Sequence, residues 1–369
     1  NFVAGVYYFK GDVSQEISPV LNTGAFKLGQ RNMITAETTS LAAFGQATYR
    51  VNKQLSLNLG ARIGREEAIA GRTATLAPGA VGPLSSLATV SGSTSDTYAS
   101  YRVGAQYEFT RNNMGYVNYA QGYKGPAVND NATNPLVPLI VNPEVPKTLE
   151  VGLKNLFLDG RLAINVAAWD TKIHDFQAQV YSPSTLGFVF SNAPQATNRG
   201  VSMNVYGRPS AALTVNGGVA YIESRYGSGY KLECAVGSPA GCTQDATGAQ
   251  IGGVPRVKAT IAAEYAFKVG DYKAFVGADA VYTSERVLNP QDPIRNIEAR
   301  TTLGARMGFR SANDNWGVTL YARNLTDEFQ PTYRLGNLLG FVAGDSKSYA
   351  QFVGPESRRL IGVSLDAKF

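Results

Sequence analysis

Histidine is almost absent from this sequence, since His174 is the only one among its 369 residues. A membrane phospholipase or protease needs a histidine arranged with a serine or aspartate. His174 lies in the context Lys-Ile-His-Asp-Phe, and no serine elbow accompanies it. We therefore interpret it as a lumen or interface histidine, and the sequence does not predict an enzyme.

Metal-ligand clusters are lacking too, so neither a resident metal nor another cofactor is predicted. The run Asn129-Asp130-Asn131 offers oxygen ligands to calcium, but no spaced acidic repeat follows it. We interpret this run as a solvated loop and keep a calcium site as the alternative. Any metal would then arrive inside a chelate.

Long apolar runs are also missing. Mean hydropathy is −0.13, and no run approaches the roughly 20 residues of a membrane helix. A helical membrane protein is thereby excluded, whereas a β-barrel is not, because alternating strands average to neutral hydropathy. The 39 glycines and 20 tyrosines exceed ordinary usage and suit strands and turns.

Basic residues outnumber acidic ones, and the net charge is +6. No Lys/Arg run concentrates this charge, so a nucleic-acid partner is not predicted. The only cysteines, Cys234 and Cys242, lie eight residues apart in a Gly/Ser/Pro-rich segment. This spacing predicts a small disulfide loop and an oxidising compartment, with two free thiols as the alternative.

The last thirteen residues, 357–369, show the pattern that organises the chain. Ile361, Val363, Leu365, Ala367 and Phe369 alternate with glycine and polar residues. Successive side chains of a strand point to opposite faces, so one face is apolar and the other polar. An aromatic residue at the C-terminus fits an outer-membrane barrel that closes its seam with this strand, and the apolar face then points into lipid.

About fourteen such runs follow one another along the chain. Turns of two to five residues follow every even run, and longer loops follow most odd runs, including a Gly/Ala/Ser/Thr-rich segment at 71–95. Short turns at one rim and long loops at the other are typical of an outer-membrane barrel. The sequence therefore predicts an all-β, antiparallel transmembrane barrel whose short turns are periplasmic.

Aromatic and charged residues divide between the two faces of the predicted strands. The aromatic residues near short turns form a candidate interface girdle: Tyr49, Tyr107, Phe109, Phe157, Phe267, Tyr272, Phe309, Trp316 and Phe369. Unpaired charges are expensive inside a packed core, so the polar face predicts a water-filled lumen or a polar plug. That face contains Arg62, Arg102, Glu108, Glu150, Lys154, Glu264, Arg300, Arg306, Arg310, Arg323 and Asp366.

Four stretches resemble a known family in order and spacing. They are residues 118–126 (NYAQGYKGP), 142–169 (NPEVPKTLEVGLKNLFLDGRLAINVAAW), 321–328 (YARNLTDE) and the terminal strand, 357–369. With them the chain resembles the C-terminal barrel portion of TonB-dependent outer-membrane receptors. The resemblance implies a 22-stranded barrel with a plugged lumen. Residues 1–369 would then be the C-terminal part of the barrel domain, and the N-terminal plug and roughly eight first strands would lie upstream.

The resemblance also implies location, function and partners. We expect a receptor in the outer membrane of a Gram-negative bacterium that imports a siderophore-type iron chelate or another scarce nutrient. Its partners would be outer-membrane lipid, the TonB complex acting through the plug, and the small-molecule nutrient or metal chelate.

Two other functions remain open from the sequence: a passive diffusion channel of about fourteen strands, and an adhesin or lipolytic enzyme. Pairing of the terminal strand with residues 1–17 would favour the passive channel.

Substrate contacts in such a receptor would come from the extracellular loops and upper lumen. Arginine suits an anionic chelate or carboxylate, and tyrosine suits stacking and hydrogen bonding. The candidates are Tyr226 and Tyr230 before the cysteine loop, Arg286 above the eleventh run, and Tyr333 and Arg334 in the last long loop. The alternative for each is a solvated loop residue.

Overall fold

The computed structural model describes residues 1–18, 20–22, 24, 26–83, 87–129, 137–182, 187–234, 238–239, 241–290, 292–329, 331–336, 345, 347–355 and 357–368. Phe369, Asp130 and Asn131 lie outside these ranges, so the predictions that rest on them stay predictions. In the described ranges, no helix is long and apolar enough to cross a membrane.

The described chain consists of β-strands and the turns and loops between them, with one turn of 3₁₀ helix at Pro293–Arg295. Its strands are β1 Phe2–Ile17, β2 Val20–Asn22, β3 Lys27–Arg50, β4 Leu55–Leu76, β5 Thr89–Thr110, β6 Asn113–Gln121, β7 Ala127–Val128, β8 Ile140–Val141, β9 Val145–Phe157, β10 Leu162–Ser182, β11 Gly187–Gly207, β12 Leu213–Tyr226, β13 Lys231–Glu233, β14 Thr243–Asp245, β15 Val257–Val269, β16 Tyr272–Thr283, β17 Arg300–Arg310, β18 Trp316–Arg323, β19 Pro331–Gly336, β20 Tyr349–Val353 and β21 Leu360–Ala367.

One large antiparallel sheet contains fifteen of these strands. Its order is β1-β3-β4-β5-β6-β9-β10-β11-β12-β15-β16-β17-β18-β21, with β2 paired to β3 at the side. Each strand in this order pairs with the next one along the chain, apart from short strands in loops. The predicted all-β antiparallel fold of about fourteen strands is confirmed, whereas the total of 22 stays a prediction.

The connections separate into two rims. Six turns of two to five residues join strands at one end of the sheet, the short-turn rim: 51–54, 111–112, 158–161, 208–212, 270–271 and 311–315. The opposite end, the long-loop rim, has the long excursions, which contain the small hairpins β7–β8, β13–β14 and β19–β20. Sequence alternation did not predict these hairpins, because each strand is only two to six residues long.

The predicted loop at 71–95 is wrong at both of its ends. β4 continues to Leu76 and β5 begins at Thr89, with unbroken pairing between them from Leu55 to Thr73. Small polar residues hide the strand signal here, because they lack apolar alternation. Backbone hydrogen bonds and the burial of alanines such as Ala68, Ala70 and Ala74 stabilise the strand instead.

The two faces of the sheet differ as the alternation predicts. Large apolar side chains such as Ile63, Ile261 and Leu365 are 65%, 65% and 76% exposed on one face, the lipid face. Near the short-turn rim, Tyr272, Phe309 and Trp316 contact one another edge to face. Exposed aromatics at this level fit the interface between lipid and water.

The opposite, lumen face contains the charged residues in paired form. Arg306 Nε donates to Glu264 Oε2 at 3.1 Å, and Arg310 contacts Asp366 at 3.2 Å. Tyr116 donates to Glu150 at 2.8 Å. The lumen face is therefore a polar hydrogen-bonded wall.

Several strands are far longer than a membrane requires. β3 has 24 residues, whereas about 9–11 residues of a tilted strand span the hydrocarbon. Towards the long-loop rim, the lipid face of β1 and β3 changes to the ion pairs Lys10–Glu37 and Arg31–Glu16, at 2.7 and 2.6 Å. The upper parts of these strands therefore stand in water, beyond the membrane.

Candidate functional site

A paired bulge in β10 and β11 prepares the site. His174 pairs with Gln195 and Phe176 with Ala193, so Asp175 and one residue of β11 drop out of the register. Asp175 has a φ of 51°, which is uncommon inside a strand. Because one residue is skipped on each strand, side chains exchange faces at this level.

The exchange of faces builds a small apolar core at the long-loop rim. Below the bulge, the lumen face has polar contacts such as Trp169 Nε1 to Asn198 Oδ1 at 2.6 Å. Above it, Ala178 and Ala193 are buried against residues of β12 and of the β13–β14 hairpin. The remaining buried members of this cluster are Tyr226, Tyr230, Leu232 and Ala246.

Tyr226 and Tyr230, predicted as substrate contacts, are both members of this core. Their ring centroids lie 4.9 Å apart, and Tyr230 Oη shares a hydrogen bond with Ser191 Oγ at 2.7 Å. Each side chain is only 5% exposed, and burial raises the pKa of both phenols. The two rings therefore have a structural role, because they hold the β13–β14 hairpin on the sheet.

The hairpin is closed by the disulfide Cys234–Cys242, whose Cα atoms lie 5.5 Å apart. Cys234 N also donates to Cys242 O, and the strands pair from Lys231 to Asp245. The covalent link and the buried Leu232 keep this hairpin against the core.

Beside the core, a cavity of about 500 Å³ opens at the long-loop rim. Tyr226, Tyr333 and Arg334 line it, so the structure brings three of the five predicted residues together. Tyr230 lies behind Tyr226, and Arg286 does not line the cavity. The sequence did not predict the other lining residues, which include Lys124, Phe176, Phe188, Phe190 and Arg295.

Rings from separate elements form one wall of this cavity. Phe188 of β11 meets Tyr333 of β19 edge to face at 5.6 Å, and Phe176 of β10 lies 6.3 Å from Tyr226. These phenylalanines fall in a predicted strand, where the alternation gave no reason to assign them to a site. Only the bulge and the folded β19–β20 hairpin bring them to the cavity.

The cations of the cavity are paired with carboxylates. Arg334 is 9% exposed and donates to both carboxylate oxygens of Glu298, at 3.0 and 3.1 Å. These hydrogen bonds from Arg334 lower the pKa of Glu298. Arg295 is buried against Asp292, and its Nε has no hydrogen-bond partner in the ranges given above.

Lys124 is the most accessible of these cations. Its side chain is 55% exposed, and Nζ lies 3.6 Å from Glu144 Oε2, which also accepts a hydrogen bond from Gln177 N. A loose, half-exposed ion pair contributes little free energy to the fold. Lys124 can therefore contact an incoming anion at little cost.

Arg286 holds the last long loop instead of facing the cavity. Its Nη2 donates to Pro331 O and Thr332 O at 3.3 and 3.4 Å, and Arg300 donates to the same Pro331 O at 3.4 Å. Burial and the neighbouring charge of Arg300 lower the pKa of Arg286. Two guanidinium groups thus converge on one carbonyl at the start of β19.

The metal and enzyme alternatives gain no support from these contacts. Asn129 uses its side chain to bond Pro138 O and the backbone of Phe190, which makes it a structural residue. Across the described ranges, no three histidine, cysteine or acidic residues are grouped to hold a metal ion. His174 lies within the β-ladder, opposite Val145 and Gln195.

Comparison with known proteins identifies the family. Residues 1–325 match the family described as TonB dependent receptor-like, beta-barrel. The chain belongs to this family. The resemblance seen in the sequence is thereby confirmed, and TonB-dependent receptors are transport receptors, not enzymes. Family membership and the strand architecture together indicate a protein of the Gram-negative outer membrane.

Named relatives lie within the same family. The chain is 26% identical over 255 residues to the probable TonB-dependent siderophore receptor PiuA of Acinetobacter baumannii, covering 66% of this chain and 32% of that receptor. The ferric yersiniabactin uptake receptor FyuA of Yersinia pestis superposes with a TM-score of 0.77 at 16% identity, covering 100% of this chain and 51% of FyuA. The solved PiuA structure gives 0.69 at 17% identity, covering 99% and 56%. The matched parts of the chain thus span between about a third and just over a half of these relatives. At this identity the superpositions show the fold alone.

Proposed function

We propose that this chain is the C-terminal part of the barrel of an outer-membrane receptor that imports a siderophore-type iron chelate with energy supplied through TonB. The observation that carries the proposal is the cavity of about 500 Å³ at the long-loop rim, lined by five aromatic rings and three cations. Two proteins that share the fold are described as a siderophore receptor, PiuA, and as a ferric yersiniabactin uptake receptor, FyuA.

The chemistry of the cavity suits an anionic chelate that contains aromatic groups. Rings of Phe176, Phe190 and Tyr333 offer flat apolar contact. Lys124 and the partly unsatisfied Arg295 supply positive charge next to those rings. Binding sites of this kind combine mostly apolar walls with a few polar groups that fix orientation.

The ends of the large sheet support the proposal that the chain is part of a larger barrel. Among the described residues, β1 pairs within this sheet only with β3, and β21 only with β18. Unpaired backbone groups are costly in lipid, so two free strand edges require further strands. We propose that the missing strands and a plug that couples to TonB lie upstream in the same polypeptide.

Uptake of radioactive iron tests the proposed function. Cells without the gene, starved of iron, would receive the full receptor and a panel of catecholate, phenolate and hydroxamate chelates. We expect one chelate class to accumulate only with the receptor and only when TonB is active. Accumulation without TonB would favour the passive channel, and failure of every chelate would refute the proposal.

Substitution of one ring tests the site. Phe190→Ala removes a ring from the cavity wall and is expected to weaken chelate binding about three- to tenfold, since an aromatic contact contributes roughly 0.5–1.5 kcal/mol. The matched control is Tyr265→Ala, because Tyr265 is exposed on the lipid face and its loss leaves affinity unchanged. Equal affinity of the two variants would exclude the cavity as the binding site.

A further inference from the structure

A lobe inside the upper barrel covers part of the lumen wall. It consists of residues 122–129 and 137–144 and contains the β7–β8 hairpin. On one side, Ile140 Cδ1 lies 3.7 Å from where a Cβ would stand at Gly92 of β5. On the other side, Asn129 bonds the backbone of Phe190 in β11. The lobe thus bridges two walls and separates the β3–β5 wall from the cavity.

Arg72 lies on the β3–β5 wall, and no described carboxylate forms an ion pair with it. It pairs in register with Ile34 of β3 and Val90 of β5 and shares the lumen face with Arg62, because the β4 register is unbroken. The residue is 2% exposed, and within the described part of the chain its Nε and Nη1 have no hydrogen-bond partner. Buried alanines at 70 and 74 flank it along the strand.

The register explains why no carboxylate of β3, β4 or β5 reaches this guanidinium. The nearest acid on the lumen face of β4 is Glu66, six residues away, which is roughly 20 Å at the rise of a strand. Asp96 of β5 pairs with Glu66 and lies at the same level. Above that level, the described lumen-facing residues of the three strands are all uncharged except Arg72: Gln30, Asn32, Ile34, Ala36, Thr38, Ala68, Ala70, Ala74, Val90, Gly92 and Thr94.

Arg72 cannot avoid the cost of a buried, unpaired charge by losing its proton. Burial lowers the pKa of Arg72, but a guanidinium remains charged in proteins. A buried charge without a partner is strongly unfavourable, and such charges are normally paired. A planar guanidinium also matches oxyanions, which accept two parallel hydrogen bonds.

We propose that Arg72 is the centre of an internal anion site that binds an oxyanion, a phosphate or carboxylate group, beneath the lobe. Asn32, on the diagonal position of the neighbouring strand, offers a buried amide beside it and already bonds Gln30 at 3.2 Å. The anion replaces the missing counter-charge and joins the lobe to the β3–β5 wall. This site does not depend on the proposed uptake function.

Thermal unfolding of the full receptor in detergent tests the site. Inorganic phosphate would be titrated at constant ionic strength and pH 7.5, with chloride as the balancing ion. We expect a saturable rise in Tm for the natural protein and for the control variant Arg65→Met. Arg65 is a suitable control because it is exposed and donates to Ser95 on the lipid face. The rise is lost in Arg72→Met, and calorimetry gives at least tenfold weaker phosphate binding.

Two further observations separate an anion site from a structural arginine. In phosphate-free buffer, Arg72→Met melts no lower than the natural protein, because the substitution removes an unpaired charge. Arg72→Lys retains a reduced phosphate response, because it keeps the charge but loses the planar fork.

Four results would overturn the proposal. The first is an equal rise in Tm with phosphate in the natural protein and in Arg72→Met, and the second is no rise in the natural protein. The third is a lower Tm of Arg72→Met than of the natural protein in phosphate-free buffer. The fourth is a rise in Tm with phosphate that is seen only after Asp130→Asn. The last result would mean that the chain supplies the carboxylate itself.

Discussion

The arginines of the long-loop rim show how polar loop residues are used in this receptor. Arg334 was predicted to bind an anion, and its guanidinium holds Glu298 in a two-pronged ion pair. Arg286 and Arg300 instead donate to the carbonyl of Pro331. These residues therefore dock β19 on the loop between β16 and β17, and the cavity wall that contains Tyr333 depends on them.

The Arg334–Glu298 pair makes this docking sensitive to acid. Arg334 holds the pKa of Glu298 below its ordinary value, which is about 4.3. The pair therefore stabilises the docked hairpin fully at pH values above the ordinary pKa of a glutamate. This stabilisation is lost as the pH falls through the lower pKa that Glu298 has in the folded protein. Because Glu298 is largely exposed, we expect an effect below about 1 kcal/mol.

Hydrogen exchange of Pro331–Gly336 measures this prediction. Glu298→Gln should lower amide protection at pH 7, and the difference from the natural protein should disappear once the pH falls below the lowered pKa of Glu298. Glu285→Gln is the matched control, because Glu285 accepts a hydrogen bond from Asn296 and forms no ion pair within the described ranges. Equal protection of the natural protein and Glu298→Gln at pH 7 would contradict the prediction.

At the scale of elements, the paired bulge decides which side of the β10–β11 hairpin faces the cavity. Strand alternation predicts one parity from end to end, whereas the register skips Asp175 and a residue of β11. The skip brings Phe176 and Ala178 to the core and leaves Trp169 on the polar wall. Asn192 Nδ2 donates to Asp175 O at 2.8 Å and stabilises the bulge.

Substitutions at Asp175 test the strained position. Glycine adopts a φ of 51° without strain. Asp175→Gly should therefore leave the free energy of unfolding unchanged or raise it by up to about 1 kcal/mol. Asp175→Val should lower the free energy of unfolding by about 1–3 kcal/mol, since a β-branched residue disfavours this conformation. Urea unfolding gives both values.

Lys172→Val is the control for side-chain identity, because Lys172 lies in regular register in the same strand. A loss at Lys172 as large as that at Asp175 would indicate that the backbone conformation is not the cause. Chelate affinity should fall in Asp175→Val and not in Lys172→Val, because only the bulge positions Phe176.

At the scale of the whole molecule, the large sheet has two free edges. β1 and β21 end the strand order and do not pair with each other in the described structure. Free backbone N–H and C=O groups along two strands are costly in the hydrocarbon. We therefore expect the 369 residues alone to give no stable channel.

Planar-bilayer conductance measures this expectation. The isolated chain should show no lasting conductance steps, whereas the full receptor should insert stably. A long-lived open pore from the isolated chain would contradict the fragment proposal and favour a passive channel of about fourteen strands. The insertion of the full receptor is the control for the refolding procedure.

Much of this architecture could be predicted from the sequence. The period of two in residues 361–367 and its repeats indicates strands with one lipid face, because side chains of a strand alternate without exception in a regular ladder. Turn lengths assign the two rims. Interface aromatics such as Phe309 and Trp316 follow from the same parity. These features are local, so no distant contact is needed to determine them.

The tertiary structure alone decides the site. Tyr226, Tyr333 and Arg334 come from β12 and β19, and Phe190 and Lys124 come from other strands and loops, so their meeting depends on long-range packing. The bulge reverses the parity that the sequence predicts for β10 and β11. Glu298 forms an ion pair with Arg334 and neutralises its charge. Arg72, in contrast, stays unpaired among the described residues, because the register places it where no carboxylate of β3, β4 or β5 reaches it. Alternation determines the face of a side chain, whereas only the folded chain determines its neighbours.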